Sequence, residues 1–109
     1  MVKKKAVKPN GAVPTSSEFN PYAPYRIGAN YLIRTVTNYY TGKLDAVYPQ
    51  ELLLSCAAWI ADTGRWSQAV ASGILQEVEL YPPSSRVIVG RGSIIDAVEI
   101  TWDLPSVQR

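Results

Sequence analysis

Short apolar segments rich in β-branched and aromatic residues alternate with turn residues after residue 30, a pattern typical of a mainly β protein. The longest apolar segment, residues 51–60, lies between turn signals, which favours a buried strand over a buried helix. Gly42 and Pro49 indicate the turns between the first three strands. The predicted strands are residues 31–40, 43–48, 51–60, 86–89 and 93–102.

One segment departs from this pattern and predicts a short helix. Within residues 62–73, Trp66 and Val70 share one helical face, and polar residues at the start can cap the first turn. Gly73 can end the helix in a left-handed conformation. We expect this helix to lie over the sheet. Residues 77–80 alternate in polarity and predict either a short strand or a connection.

The chain divides into an arm, a domain and a tail. Residues 1–27 contain four prolines and many loop-forming residues, which predict an extended arm without regular structure. Residues 28–105 contain all the predicted elements and are long enough for one small domain with its own core. Residues 106–109 are predicted to be a short tail.

The composition excludes several kinds of chemistry. The 109 residues contain no histidine, which removes the commonest general acid–base group and the commonest metal ligand. The single cysteine, Cys56, allows no internal disulfide and is predicted to be a small core residue. We therefore expect no enzymatic activity, no metal site and no cofactor. No apolar run is long enough for a membrane span or a secretory signal, so we expect a cytoplasmic or virion location.

Positive charge is concentrated in the arm. Residues 1–27 have five basic side chains and one acidic side chain, a net charge of +4, whereas the remainder has six basic and eight acidic side chains, a net charge of −2. The arm lysines either contact nucleic-acid phosphates or form a solvated terminus. The acidic remainder argues against a broad nucleic-acid-binding face. The lysines are Lys3, Lys4, Lys5 and Lys8.

Aromatic residues indicate contacts with other molecules. Phe19, Tyr22 and Tyr25 predict that the arm docks on a protein surface, either a neighbouring subunit or the chain's own domain. Tyr39 and Tyr40 are predicted beside a turn, where at least one ring faces outward. Such rings stack on nucleobases or anchor protein interfaces, and the lack of basic residues around them favours the interface.

Two short motifs resemble those of the Sm and Sm-like proteins. Gly42-Lys43-Leu44 followed by Leu53 resembles the first Sm motif, and residues 87–94 (VIVGRGSI) resemble the second. The resemblance covers residues 31–105 and implies a small five-stranded β-barrel, here with one short inserted helix and an extended N-terminal arm.

The chain also departs from the Sm pattern. Residues 49–52 lack the Asp and Asn of the family's nucleobase-binding loop, Gly90 is additional, and the helix follows the third strand instead of preceding the first. The implied architecture is therefore better supported than the implied RNA pocket. Residues 59–66 are also similar to small uncharacterised proteins of phage and bacterial genomes.

The resemblance implies a ring in which the fourth strand of one subunit pairs with the fifth strand of the next. On this chain the ring interface would fall on Val87, Ile88, Val89, Ile95 and Ala97. Arg91 would then line the pore and contact RNA; the alternative is an exposed side chain that pairs with Asp96.

Two functions follow from these patterns. The first is a non-enzymatic structural protein that self-associates through its strand edges and its arm, as a virion component, ring or filament subunit. Its expected partners are copies of itself and other virion or assembly proteins, without a membrane. The alternative is an Sm-like RNA-binding ring, which would use the basic arm and Arg91 to contact nucleic acid.

Overall fold

The computed structural model describes residues 22–109. For these residues, the predicted mainly β class with one short α-helix is confirmed. The elements, in chain order, are β1 (Asn30–Thr35), β2 (Tyr39–Val47), β3 (Glu51–Asp62), α1 (Trp66–Ser72), β4 (Glu77–Leu80), β5 (Val87–Gly90), a 3₁₀ helix (Arg91–Ser93) and β6 (Ile94–Glu99).

The strands form one antiparallel sheet in the order β4-β3-β2-β1-β6, and β5 pairs with β3 outside this order. This sheet has six strands and is not closed in the described part of the chain, in contrast to the predicted five-stranded barrel. The additional strand is β4, which the sequence left open as a strand or a connection. Because β3 has 12 residues, its first half can pair with β5 and its second half with β4.

A β-bulge separates the two halves of β3. Lys43 pairs with Ser55 while Thr41 pairs with Ala58, so one residue of β2 faces two residues of β3. The first of these two, Cys56, has a φ of 50°, in the left-handed region that disfavours residues with a Cβ. The Cys56 side chain is exposed, so the prediction that it is a small core residue is wrong. The bulge turns this side chain out of the core.

The first hairpin turns earlier than the sequence predicts. Residues 31–40 form the end of one strand and the start of the next, because the chain reverses at residues 36–38. The Thr35 hydroxyl donates to the Asn38 carbonyl oxygen over 2.7 Å and accepts the Asn38 N–H over 2.9 Å. These bonds replace the strand ladder and close the turn.

Gly42, predicted to be a turn residue, lies inside β2. A Cβ at this position would come within 3.1 Å of the Leu54 Cβ on β3, a contact that would force a shift. Glycine at this position therefore favours the close approach of two strands at the bulge and does not form a turn.

Helix α1 is shorter than predicted and begins at Trp66. The preceding residues form a turn instead, because the Asp62 carboxylate accepts the Gly64 N–H over 2.8 Å. Gly73 ends the helix with a φ of 72°, as predicted, and its N–H donates to the Ala69 carbonyl oxygen. A Cβ at Gly73 would lie 2.6 Å from the Trp102 ring, which packs on this end of the helix.

The sheet is buried on both faces near β1. Tyr31 and Ile33 contribute to a first core on one face, and Leu32, between them, contributes to a second core on the other. The second core lies beneath α1 and the segment that contains Trp102. Successive side chains of a strand point to opposite faces. Three consecutive residues of β1 are therefore buried because each face of the strand packs against a separate core.

The predicted tail docks on the sheet. Val78 of β4 and Arg109 exchange two backbone hydrogen bonds of 3.1 and 3.2 Å. The Gln108 side chain accepts the Leu80 N–H over 2.9 Å, and the Arg109 side chain donates to the Leu75 carbonyl oxygen. Residues 108–109 thus occupy the outer edge of β4.

We expect Cys56→Gly to raise the free energy of unfolding by about 0.5–1 kcal/mol, because glycine adopts a φ of 50° without a Cβ clash. Cys56→Ala removes the thiol but keeps the clash, and should leave the stability almost unchanged. Urea denaturation of the three chains measures the difference. Equal stabilities for the glycine and alanine variants would show that the bulge is not strained.

Substitution by valine should change the free energy of unfolding in opposite directions at two threonines. The Thr41 hydroxyl is buried without a hydrogen-bond partner, so Thr41→Val should raise the free energy of unfolding by about 1 kcal/mol. Thr35→Val breaks the turn's hydrogen bonds and should lower it by about 1–3 kcal/mol. Thermal and urea unfolding of both variants test this. Destabilisation by Thr41→Val would indicate an undetected partner for that hydroxyl.

Candidate functional site

The residues predicted to contact nucleic acid do not form one site in the described part of the chain. Lys3, Lys4, Lys5 and Lys8 lie outside the described residues, as does Phe19. Tyr39 packs its ring edge-on against Trp66, with the centroids 5.6 Å apart, on the face of the second core. Tyr40 packs against the first core, on the opposite face of the sheet.

Arg91 begins the 3₁₀ helix between β5 and β6 and has several contacts. Its backbone N–H donates to the Gln50 carbonyl oxygen, and its side chain donates to the Tyr48 carbonyl oxygen, each over 2.9 Å. Its guanidinium carbon lies 5.3 Å from the centroid of the Tyr25 ring, a cation–π contact. The side chain is therefore held against the protein surface at the end of β5.

Asp96, the predicted partner of Arg91, pairs with Arg34 instead. Asp96 on β6 lies opposite Arg34 on β1, and two hydrogen bonds of 3.2 and 2.6 Å join the guanidinium to the carboxylate. The hydrogen bonds that Arg34 donates to the Asp96 carboxylate raise the pKa of Arg34 above its ordinary value. Arg34 also lies over the Trp66 ring, 5.4 Å from its centroid. This cluster ties β1, β6 and α1 together.

Residues 22–26, which we call the strap, pack against the chain's own sheet. The Tyr25 ring meets the Tyr31 ring edge-on at a centroid distance of 5.8 Å. The Arg26 side chain forms an ion pair with Glu99 on β6 at 3.1 Å, and its backbone N–H donates to the Tyr31 hydroxyl over 2.9 Å. At Tyr25, the arm thus docks on its own domain. Tyr22 remains half exposed.

A groove of about 500 Å³ runs between the strap and β6. We call it the seam groove. Its wall combines aromatic rings, apolar side chains and charges of both signs. The lining residues are Pro24, Tyr25, Tyr31, Arg91, Ile94, Ile95, Asp96, Ala97 and Glu99.

The residues predicted for a subunit interface divide into two groups. Val89 is buried in the first core, and Val87 and Ala97 pack against it, so these side chains stabilise the chain's own fold. In contrast, Ile88 on β5 is 67% exposed and Ile95 on β6 is 56% exposed. Ile95 is the extra residue of a β-bulge, because Arg34 pairs with Asp96 while Thr35 pairs with Ile94.

Two outer strand edges lack a partner strand among the residues that the structure describes. Within residues 22–109, β5 pairs only with β3, and β6 pairs only with β1. The outer edge of β4 differs, because Arg109 bonds to it. An outer edge exposes backbone N–H and C=O groups that can pair with another chain. The exposed isoleucines at positions 88 and 95 lie on the two strands with open edges.

The electrostatics of this region are mixed. Residues 22–109 carry seven basic and eight acidic side chains, a net charge of −1. Burial raises the pKa of the Tyr25 phenol above its ordinary value of 10.0, and the positive charge of Arg91 opposes this rise. Burial likewise raises the pKa of Tyr81, with a smaller contribution from the neighbouring Tyr40.

Within residues 22–109, no group of three or more acidic or cysteine side chains is placed to hold a metal ion. No helix among these residues has the length and apolar character needed to cross a membrane. Comparisons with protein-family models, with curated proteins and with solved structures found no match.

We expect Arg91→Met to raise the pKa of Tyr25 further, because methionine keeps the bulk beside the ring but removes the positive charge that lowers that pKa. Phenolate absorbance is titrated in the unsubstituted chain and in the Arg91→Met chain, each with and without Tyr25→Phe, so that the difference isolates Tyr25. An unchanged or lower pKa would contradict the cation–π contact.

This titration also has a consequence for stability. The folded chain holds the Tyr25 proton to a higher pH than the unfolded chain. The contribution of Tyr25 to the free energy of unfolding should therefore be fully present below pH 10 and be lost as pH rises through the folded-state pKa, which urea denaturation of the unsubstituted and Tyr25→Phe chains over this pH range measures.

Proposed function

We propose that this protein is a non-catalytic structural subunit that self-associates through the open edges of β5 and β6. The copies would form a ring or a filament, or a component of a virion. The observation that carries the proposal is the pair of unpartnered edges, each with an exposed isoleucine on its strand. Pairing the edge of β5 on one copy with the edge of β6 on the next would satisfy both sets of backbone groups.

The connection between these strands supports a repeating contact. Only the three residues of the 3₁₀ helix separate β5 from β6, and the Arg91 bonds to Gln50 and Tyr48 anchor that connection to the β2–β3 hairpin. The two edges are therefore held in a fixed relation to each other. A fixed relation between two different contact surfaces generates rings or filaments of identical copies.

We also propose that the sheet is a small, incompletely closed barrel of the Sm-like type. Bulges in β2, β3 and β6 bend and twist the sheet around the first core. The strap covers one end of the open side through Tyr25, Tyr31 and Arg91. An Sm-like RNA-binding ring is the alternative function. The engagement of Arg91 with Tyr25 and Tyr48 argues against it, as does the net charge of −1 of residues 22–109.

The test compares three lysine substitutions in the full chain. Ile88→Lys and Ile95→Lys place a charge beside the β5 and β6 edges, and Ile74→Lys is the matched control, because Ile74 is 55% exposed but lies between α1 and β4. Light scattering coupled to gel filtration measures the molar mass, and the 260/280 nm absorbance ratio detects nucleic acid. We expect Ile88→Lys and Ile95→Lys to weaken association about 100-fold, corresponding to roughly 3 kcal/mol.

The control should assemble like the unsubstituted chain. A monomeric unsubstituted chain would overturn the proposal, as would an oligomer whose mass neither edge substitution changes. An oligomer that purifies with nucleic acid would instead favour the Sm-like ring.

A further inference from the structure

We propose that Phe19 of the same chain binds in the seam groove, between the strap and β6. Phe19 lies outside the described residues, and the groove is the place on the domain where this part of the arm would dock. The contact lies within one copy, so it does not depend on the proposed self-association. A second copy is the alternative occupant, and the experiment below distinguishes the two.

The strap gives the preceding segment a fixed starting point. The Tyr25 N–H donates to the Tyr22 carbonyl oxygen over 2.9 Å, which closes a turn at the start of the described residues. After the strap, the Gly28 N–H donates to the Leu44 carbonyl oxygen over 2.7 Å and holds the chain on β2. Because both ends of the strap are bonded, the segment before Tyr22 starts beside Tyr25.

The length of chain between Phe19 and the strap limits where the Phe19 ring can lie. The first and fourth residues of a turn lie within about 7 Å of each other, so Tyr22 starts that close to Tyr25. The three residue steps from Phe19 to Tyr22 span at most about 11 Å. Pro24 and Tyr25 line the groove, which is therefore within reach. Phe19 is the only aromatic residue among residues 1–21.

The groove has the size and the lining for an aromatic ring. Its volume of about 500 Å³ is larger than the cavity of roughly 150 Å³ that binds benzene in another protein. The rings of Tyr25 and Tyr31 and the apolar side chains of Ile94 and Ala97 line it. All four side chains pack against the first core. Protein interiors are close-packed, so a ring bound here would extend that core outward.

The charges of the groove match the residue beside Phe19. The two carboxylates of the wall already form ion pairs with arginines of β1 and of the strap. Arg91 adds a positive charge 5.3 Å from the centroid of the Tyr25 ring. Glu18, which precedes Phe19, is the only acidic residue among residues 1–21. The attraction between opposite charges favours Glu18 toward Arg91 when the Phe19 ring is in the groove.

The direct connection favours the arm of the same chain over that of a second copy. The strap is held on the chain's own sheet by the Tyr25 ring and by the ion pair of Arg26. Only two residues separate Phe19 from Tyr22. A short connection of this kind gives the tethered group an effective concentration on the order of millimolar, without any loss of freedom from bringing two molecules together.

The experiment measures an intrachain cross-link in the full chain, with Cys56→Ala to remove the natural thiol. Asn20→Cys places a thiol beside Phe19, and Ile95→Cys places a second thiol on the groove wall, at a position that is 56% exposed. Unlabelled and isotope-labelled chains are mixed, unfolded and refolded together, and treated with a short bis-maleimide. Mass spectrometry of the digested protein then separates cross-links within one chain from cross-links between copies.

A matched control combines Asn20→Cys with Ile74→Cys. Ile74 is 55% exposed but lies between α1 and β4, away from the groove. We expect the cross-link between positions 20 and 95 to form several-fold more than the cross-link between positions 20 and 74, and to join residues of a single isotope. Equal yields would overturn the proposal. A cross-link that mixes the two isotopes would also overturn it and would assign the groove to a second copy.

Two serine substitutions test whether the Phe19 ring is the group that binds. Phe19→Ser should lower the cross-link yield between positions 20 and 95 several-fold, and should lower the Tm of the otherwise unsubstituted chain by several degrees. Val13→Ser, the matched control elsewhere in the arm, should leave both unchanged. A yield and a Tm that do not respond to Phe19→Ser would show that the ring lies elsewhere. Light scattering of the unsubstituted chain tests self-association independently of these results.

Discussion

The bend of β3 at Cys56 is the constraint on which the rest of the sheet depends. The 12 residues of β3 are long enough for two short partners on one side. The bulge bends β3, so that its two halves run in different directions. The first half pairs with β5 and the second half pairs with β4, while β2 pairs along the opposite side of β3. Gly42 favours this arrangement because a Cβ at that position would lie only 3.1 Å from the Leu54 side chain of β3. The local geometry of two residues thus determines the connectivity of four strands.

Because the sheet is not closed in the described part of the chain, side-chain contacts connect the strap and the 3₁₀ helix to it. Tyr25, Tyr31 and Arg91 join the strap, β1 and the 3₁₀ helix through ring and cation–π contacts. Arg34 and Asp96 join β1 to β6, with Trp66 of α1 against the guanidinium. Among residues 22–109, these ring and charge contacts leave the outer backbone edges of β5 and β6 without a partner strand.

The sequence predicted the strand-forming segments because β-branched and aromatic residues are concentrated in them. It misplaced the first turn because residues 31–40 are uniformly strand-forming, although Asn38 was a signal that a turn was available. Gly42 was assigned to a turn because close packing against Leu54 depends on a strand distant in sequence. The pairing of Arg34 with Asp96, 62 residues apart, required the register of β1 and β6. Successive side chains of a strand point to opposite faces, and this rule predicts that Ile88 points outward while its neighbours Val87 and Val89 point inward.

The bonds between Arg109 and Val78 have a consequence for the geometry of growth. The described sheet has three outer edges, on β4, β5 and β6, and residues 108–109 already occupy the first. A building block with three reactive edges would branch into a gel or an amorphous aggregate. With the β4 edge saturated from within, each copy in the proposed assembly would have a valence of two, and units of valence two grow only in one dimension.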